Sequence, residues 1–261
     1  MFKNALKEKL RAGKAVFGIM ANDYSPPVLE VLGYAGFDWV LLDNEHGTVT
    51  PESLPHSVRA CEASGIVPIV RPVGNRMDII TPFMDQGAYG VQVPHINTAA
   101  DARAVVEAVK YPPLGKRGFF GANRNNRFGL GMPAGEYLAH ANRETLVVTM
   151  VEEVEGIRNA GAIAAVDGVD VVFIGAGDLS VSMGYPGQNT HPEVVNAVEG
   201  AVRDVLAAGK IPGCSCPDDA VPHWLDRGVR FFHSGVWRLL AGASREYLAR
   251  VREAAGKAGA G

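Results

Sequence analysis

Residues whose side chains bind metals or move protons follow several short apolar runs in this sequence. In chain order they are Asp43, Glu45, His46, Arg71, His95, Glu152 and Asp178. If each apolar run is a strand of one parallel barrel, the strand ends meet at a single rim, which is where such folds carry their active sites. These side chains are therefore expected to converge on one site.

Two acidic residues of this set follow consecutive apolar runs. Glu152 comes after LVVTMV and Asp178 stands in GAGDLS, so their carboxylates are expected to approach each other. Close carboxylates repel unless a cation lies between them, and Mg²⁺ or Mn²⁺ suits a site of two carboxylates, waters and a bidentate substrate. Helix capping is the competing interpretation for each residue alone. As a pair, they favour a metal site.

Arg71 and His46 supply the remaining chemistry. Arg71 ends an apolar run and is followed by Pro72, so its guanidinium is expected at the rim, where it could bind a carboxylate or stabilise an enolate oxygen. A purely structural salt bridge to Asp43 or Glu45 is the alternative. His46, with an ordinary pKa of ~6.5, is the candidate for proton transfer. Either Asp43 or Asp85, the latter from this chain or a neighbouring subunit, would orient it.

The elements that must position these residues repeat in a regular order. Short β-branched runs alternate with longer helical patterns about eight times. The predicted strands are residues 16–20, 39–42, 67–70, 90–93, 146–150, 170–174, 211–215 and 230–233. Eight such units predict an α/β fold, a (β/α)8 TIM barrel, over the alternative of a doubly wound open sheet.

The sequence also predicts where helices begin and end. The predicted residues before helix starts are Ser25, Thr50, Asp101 and His191, and the predicted helix stops are Gly13, Gly36, Gly65, Gly209 and Gly228. Residues 112–131 are too rich in Gly, Asn and Arg for a packed helix and predict a long loop. Its arginines, Arg117, Arg124 and Arg127, either recognise a polar aldehyde tail or are simply solvated.

Composition restricts the class of protein. The 261 residues are 47% hydrophobic and 20% charged, with a net charge of −3, which predicts one globular domain over residues 1–261 that binds neither nucleic acid nor membranes. Three cysteines argue against a disulfide framework and, with no apolar leader at the start, predict a cytoplasmic protein. Cys214 and Cys216 could hold a soft metal, although a small-residue strand end is the favoured interpretation.

Six stretches together resemble the HpcH/HpaI class II aldolases, and the resemblance covers nearly the whole chain. They are FDWVLLDNEHG (37–47), VPIVRP (67–72), GVQVPHINTAADA (90–102), VKYPPLGKRG (109–118), VEEVEG (151–156) and VDVVFIGAGDLSVSMGYPG (169–187). The resemblance implies a TIM barrel of the phosphoenolpyruvate/pyruvate type. It also implies a lyase that reversibly cleaves a 4-hydroxy-2-oxo acid to pyruvate and an aldehyde through a metal-stabilised enolate.

The resemblance further implies roles for individual residues. Glu152 and Asp178 would hold a divalent cation, either Mg²⁺, Mn²⁺ or Co²⁺. Arg71 would contact the keto oxygen, and His46, with Asp43 or Asp85, would transfer a proton through water. The turn that would bind the pyruvate carboxylate consists of Gly175, Ala176, Gly177 and Asp178. Homo-oligomers are implied as well, namely hexamers built as trimers of dimers that exchange C-terminal helices, which suits the apolar stripe in residues 236–248.

Two departures and two rival functions accompany this interpretation. Met150 stands where many members of the family have Gln, and GAGDLS replaces the more usual GPADLS, so contacts near the metal are expected to differ. A citryl- or malyl-CoA lyase, or a 2-oxo acid decarboxylase, would share the enolate chemistry. A catalytically silent barrel that binds a small acid is the rival from another class, and the acid–base His46 argues against it.

Overall fold

Eight parallel strands form a closed barrel in the computed structural model, which describes residues 3–23 and 25–257. The strands are β1 Val16–Ala21, β2 Trp39–Asp43, β3 Val67–Arg71, β4 Gly90–Val93, β5 Leu146–Val151, β6 Val171–Ile174, β7 Ile211–Cys214 and β8 Phe231–Gly235. Each strand pairs with the next along the chain, and β8 closes the ring against β1. The predicted (β/α)8 barrel is thereby confirmed.

Helices connect successive strands and lie outside them. The α-helices are α1 Ala5–Arg11, α2 Pro26–Tyr34, α3 Leu54–Ser64, α4 Met77–Asp85, α5 Ala99–Val109, α6 Ala134–Glu144, α7 Val154–Arg158, α8 Ala160–Ala164, α9 Ala176–Ser182, α10 Pro192–Ala207, α11 Val221–Asp226 and α12 Val236–Lys257. Two 3₁₀ segments cover Arg124–Gly129 and Asp218–Ala220. None of the helices in the described ranges is long and apolar enough to cross a membrane.

Side chains of the strands alternate between two apolar layers. Trp39 and Leu41 of β2 pack inside the barrel, whereas Val40 and Leu42 pack against the surrounding helices. Leu6 on α1 joins the inner layer and helps to close the barrel at the amino-terminal ends of the strands. Because both faces are covered, nearly every strand position is buried, which explains the continuous apolar runs of the sequence.

Two of the four predicted helix starts are wrong. Ser25 and His191 do precede helices, but α3 starts after Ser53 instead of after Thr50, because the Thr50 and Ser53 side chains bond to each other's backbone in a turn. In α5 the N-cap is Thr98, and Asp101 is the third helical residue, where it completes a capping box with Thr98. All five predicted glycine stops have positive φ.

The predicted loop over residues 112–131 is held by polar contacts of its own chain. Arg117 donates to Asp85 at 2.5 Å, and both guanidinium ends of Arg124 contact Glu62 at 3.0 and 2.6 Å. Asp85 and Glu62 lie near the ends of helices that lead into β4 and β3. These contacts therefore lie at the amino-terminal rim, opposite the strand ends that carry the candidate site.

Lys110, which is buried at this rim, allows a test of how the stability of the protein depends on pH. Its buried ammonium donates to the carbonyls of Asn142 and Thr145, and burial, followed by the charge of Lys7, lowers the pKa of Lys110 to about 7. Between about pH 7 and pH 10.5, Lys110 is protonated in the unfolded chain but has lost its proton in the folded chain. The contribution of Lys110 to the free energy of unfolding therefore rises with pH in this range. Lys110→Met should remove up to about 1.4 kcal/mol per pH unit of that rise.

The measurement is urea unfolding at pH 7 to 9.5. Lys116→Met removes an exposed lysine of the neighbouring loop over residues 112–131 and should keep the wild-type pH dependence. A parallel dependence in wild type and Lys110→Met would show that Lys110 keeps its proton in the folded state throughout this range.

Candidate active site

Asp43 and Arg71 form the central ion pair of the carboxyl-terminal rim. They are the last residues of β2 and β3 and stand directly opposite each other in the strand register. Arg71 Nε contacts Asp43 Oδ1 and Arg71 Nη2 contacts Asp43 Oδ2, both at 2.8 Å, in a bidentate pair that is almost fully buried. Burial alone would raise the pKa of Asp43, but the hydrogen bonds and charge of Arg71 hold it below its usual value.

Asp43 has no free oxygen for another strong partner. Its Oδ2 also accepts from Asn22 Nδ2 at 2.6 Å, and its Oδ1 accepts the backbone N–H groups of Glu45 at 3.1 Å and His46 at 3.4 Å. These contacts turn the DNEH segment over the end of β2. Asp43 therefore orients Arg71. This contact is the salt bridge between Arg71 and Asp43 that the sequence predicts as the alternative role of Arg71.

Glu45 and His95 extend this ion pair across the rim. Glu45 Oε2 lies 3.2 Å from Arg71 Nη1, and Glu45 Oε1 lies 3.1 Å from His95 Nε2. The other ring nitrogen of His95 lies 3.3 Å from Glu152 Oε1 and 3.2 Å from Glu153 Oε1. Burial opposes protonation of this ring, but the carboxylates, Glu152 foremost, raise the pKa of His95.

The backbone of His95 explains how it reaches this position. His95 has φ of 55°, an uncommon conformation for a non-glycine residue, and its N–H donates to Glu152 Oε1 at 2.9 Å. The position of His95 directly after a predicted strand and Pro94 predicts that it lies at this rim, but it predicts no role for the side chain. The contacts of the His95 ring could not be predicted from the sequence, because the backbone conformation at His95 decides which groups the ring meets.

Glu152 and Asp178 lie close enough to influence each other. The Glu152 side chain is buried, and burial raises its pKa to about 7, with the carboxylates of Asp178 and Glu45 adding to that effect and the His95 N–H opposing it. A Cβ at position 175 would lie 3.0 Å from Glu152 Oε2 and 2.8 Å from Met150 Cε. Gly175 therefore gives the Glu152 carboxylate room against the turn that leads into α9.

This donor set fits a hard divalent cation. Two mutually repelling carboxylates supply oxygen ligands, and a bidentate substrate and waters would complete the coordination. In the described residues, no group of three or more His, Cys, Asp and Glu side chains could hold a metal by itself. The same finding gives no support to a soft-metal site at Cys214 and Cys216, whose thiols lie at the end of β7.

His46 and Asp85 are not brought together within one chain. The His46 side chain is 68% exposed, and its ring lies 3.8 Å from Glu45 Oε2. Asp85 ends α4 at the opposite rim, where it pairs with Arg117. The structure therefore places His46, Asp43, Arg71, Glu152 and the turn at Asp178 around one barrel mouth and leaves Asp85 outside it.

Comparisons with known proteins agree over most of the chain. The family model described as HpcH/HpaI aldolase/citrate lyase matches residues 17–236. The hydroxypyruvate/pyruvate aldolase of Cupriavidus necator is 38% identical over 252 residues, which covers 96% of this chain and 93% of that protein. The 2-keto-3-deoxy-L-rhamnonate aldolase of Klebsiella pneumoniae is 36% identical and covers 92% and 90% of the two chains.

Solved structures show the same architecture. An HpcH/HpaI aldolase from Desulfitobacterium hafniense superposes with a TM-score of 0.89 at 29% identity, covering 95% of this chain and 96% of that one. The citrate synthase SbnG superposes with a TM-score of 0.84 at 32% identity, covering 98% and 99%. This chain is thus similar, over nearly its whole length, both to aldolases and to an enzyme named as a citrate synthase.

Replacing Asp43 with Asn tests the central ion pair. Asp43→Asn leaves the buried Arg71 with only Glu45 as a charged partner within 4 Å in the described residues, and we expect a loss of about 2 to 4 kcal/mol in the free energy of unfolding. Urea denaturation measures this loss. The control is Asp78→Asn, which removes the acid of the exposed Arg76–Asp78 pair and should change stability little. Equal effects of the two substitutions would contradict the assigned importance of the Asp43–Arg71 pair.

Proposed function

Because the chain belongs to the HpcH/HpaI aldolase/citrate lyase family and is a carbon–carbon lyase, we propose that it reversibly cleaves a 4-hydroxy-2-oxo acid to an aldehyde and pyruvate or a close 2-oxo acid. The observation that carries the proposal is the single barrel mouth that holds Arg71 beside the Glu152 carboxylate. Breaking the C3–C4 bond leaves negative charge on the 2-oxo acid fragment. A cation site and a guanidinium at one mouth are suited to stabilise that charge.

Glu152 and Asp178 are the residues proposed to hold a divalent cation, Mg²⁺, Mn²⁺ or Co²⁺. When bound, such an ion supplies Lewis-acid polarisation of the keto group. The backbone N–H groups of the turn formed by Gly175, Ala176, Gly177 and Asp178 are proposed to receive the substrate carboxylate. Gly175 permits the close approach of this turn to Glu152, since a side chain there would occupy the same space.

Arg71 is proposed to bind the keto oxygen. Its Nε and one Nη2 proton bond to Asp43, and Nη1 lies 3.2 Å from Glu45 Oε2, a contact that takes at most one of its two N–H groups. A guanidinium has five N–H groups, so Nη1 retains one donor, and the second Nη2 donor faces only the weak acceptor Met20 Sδ at 3.5 Å. These two donors are fixed before substrate arrives, which lowers the reorganisation needed as charge develops.

His46 is proposed to take the proton from the C4 hydroxyl through a water molecule and to return it during synthesis. The exposure of its ring allows a water to bind there. The oxygens of Asp43 are taken by Arg71, Asn22 and backbone N–H groups. Either Asp43, which already accepts the backbone N–H of His46, or Asp85 of a second copy is proposed to orient the His46 ring.

The structural similarity to the citrate synthase SbnG supports a group of alternative functions. That enzyme's name indicates carbon–carbon bond formation with a different set of substrates. A lyase of the citryl- or malyl-CoA type, or a 2-oxo acid decarboxylase, would use the same barrel mouth. Parallel assays with 4-hydroxy-2-oxo acids, malyl-CoA and oxaloacetate separate these activities.

Two substitutions test the proposed mechanism. Arg71→Ala and Glu152→Ala should each lower kcat for pyruvate–aldehyde coupling by about 100-fold or more, because each removes stabilisation of the developing charge. Manganese binding, followed by electron paramagnetic resonance, should be lost in Glu152→Ala and kept in Arg71→Ala. Arg76→Ala removes an exposed arginine that pairs with Asp78 and is the matched control. Normal turnover in Arg71→Ala or Glu152→Ala would remove that residue from the mechanism.

We also propose a homo-oligomer, a trimer of dimers in which C-terminal helices are exchanged. None of the described residues of α12 is buried, although Trp237, Leu240 and Tyr247 are large and apolar. Val31 and Tyr34 on α2 are also exposed, at 66% and 70%. Apolar surfaces of this kind are usual at subunit interfaces. A second copy would cover both.

A charged residue in the α12 stripe should break this association. In size-exclusion chromatography with light scattering, wild type should have the mass of a hexamer and Leu240→Glu the mass of a smaller species, since a buried carboxylate at the interface would lack a partner. Arg252→Gln changes a polar position of the same helix and should keep the wild-type mass. A monomeric wild type at micromolar concentration would contradict the proposal.

A further inference from the structure

A cleft of about 740 Å³ lies beside the proposed 2-oxo acid site, at the carboxyl-terminal ends of β7 and β8. Its wall includes Ala176 of the proposed carboxylate turn and Met20, whose sulfur lies 3.5 Å from Arg71 Nη2. Cys216 and Pro217, which follow β7, form another part of the wall. A covalent change at Cys216 would therefore alter the surface next to the site of bond cleavage.

Cys214 and Cys216 form a pair of thiols in contact. Both side chains pack in the apolar layer between the strands and the helices, and a hydrogen bond joins the two sulfurs. Cys214 is buried and is held in the barrel by strand pairing with Ile174 and Phe232. Cys216 is half-buried and lies beyond the end of β7, so its backbone is not tied to the sheet.

The two thiols differ in reactivity. The hydrogen bond from the Cys214 thiol lowers the pKa of Cys216 below its usual value, and the charge of Arg238 acts in the same direction, although burial, Asp218 and Asp219 oppose them. The same hydrogen bond, followed by burial, raises the pKa of Cys214 well above its usual value. Because the thiolate is the form that reacts with peroxides, Cys216 is the reactive member of the pair, and the cleft gives a small oxidant access to it.

Cys61, the third cysteine, provides a contrast within the same chain. Its thiol is buried on α3, and burial, followed by the charge of Glu62, raises its pKa. A buried thiol that keeps its proton is inert towards oxidants. Oxidation is therefore expected to distinguish the pair on β7 from Cys61.

We propose that Cys214 and Cys216 are a peroxide-sensitive pair that forms a reversible disulfide and thereby changes the wall of the cleft. In the first step the Cys216 thiolate attacks a peroxide oxygen. A sulfur–oxygen bond forms, the oxygen–oxygen bond breaks and hydroxide leaves, so Cys216 becomes a sulfenic acid. The Cys214 sulfur then attacks the Cys216 sulfur, the sulfur–oxygen bond breaks, and the oxygen leaves as water with the proton of Cys214. The peroxide thus accepts the two electrons that the thiols lose.

Reduction by a thiol reverses this change through thiol–disulfide exchange. A disulfide across one intervening residue closes a small ring, and strained disulfides are readily reduced, as a regulatory bond must be. The new bond would draw Cys216, with Pro217 beside it, towards the fixed Cys214. We expect this movement to impair use of the aldehyde in the cleft, an expectation that rests on the proposed aldolase function.

The first measurement does not depend on turnover. Wild type is treated with hydrogen peroxide, unfolded, alkylated and digested, and the peptides are identified by mass spectrometry. The peptide with Cys214 and Cys216 should lack both alkyl groups and two hydrogens, and should accept both alkyl groups after reduction with dithiothreitol. Cys61 should be alkylated throughout.

Two variants sharpen this measurement. Cys214→Ser should stop at a Cys216 sulfenic acid that dimedone traps. Ser215→Ala changes the cleft wall between the two thiols and should form the disulfide as wild type does. Oxidation of Cys61 as fast as Cys216, or oxidised Cys216 without a bond to Cys214 in wild type, would overturn the inference.

The second measurement is pyruvate–aldehyde coupling with Mg²⁺ after the peroxide has been removed. Oxidised wild type should have a kcat/KM for the aldehyde at least about 10-fold lower, because a displacement of ~1 Å near reacting groups slows turnover by up to about 100-fold. Dithiothreitol should restore the rate, whereas it does not reverse oxidation of methionines such as Met20. Cys216→Ser should show no loss that dithiothreitol restores.

The two measurements separate the possible failures. An unchanged kcat/KM in wild type that carries the disulfide would overturn the link between the thiol pair and the cleft. No coupling by untreated wild type would overturn the proposed aldolase function, while the mass spectra still decide whether the disulfide forms.

Discussion

The bidentate pair between Asp43 and Arg71 is the interaction on which the candidate site depends. Both residues end their strands, and parallel pairing of β2 with β3 sets them side by side before any side-chain contact forms. A buried guanidinium needs a partner with matching geometry, and a carboxylate in strand register provides it. The backbone hydrogen bonds of the barrel thus fix the orientation of the Arg71 guanidinium at the rim.

Charged side chains in contact with one another continue from this pair along the rim from β2 to β5. Glu45 links Arg71 to His95, and His95 in turn contacts Glu152, so acidic and basic groups alternate from β2 to β5. The alternation reduces the repulsion that several acids would otherwise cause. The other side of the rim, at β7 and β8, opens into a cleft whose lining includes Arg238 and Asp219.

The fold and the placement of most site residues could be predicted from the sequence. In a parallel barrel, a charged residue that directly follows an apolar strand lies at the carboxyl-terminal rim. This pattern predicts the positions of Arg71 and Glu152 correctly. The contacts of His95 could not be predicted, since they follow from its positive φ. The start of α3 was misplaced because a turn at Thr50 competes locally with the helix.

The exposed helix α12 has a consequence for cooperativity. The barrel gains almost no buried area from this helix, and ion pairs such as Arg250 with Glu246 hold it only locally. Melting of the helix in an isolated chain would therefore leave the eight strands intact. Protection of backbone amides against exchange with deuterated water is then expected to drop sharply after Gly235 in dilute protein and to extend through the helix as the protein is concentrated.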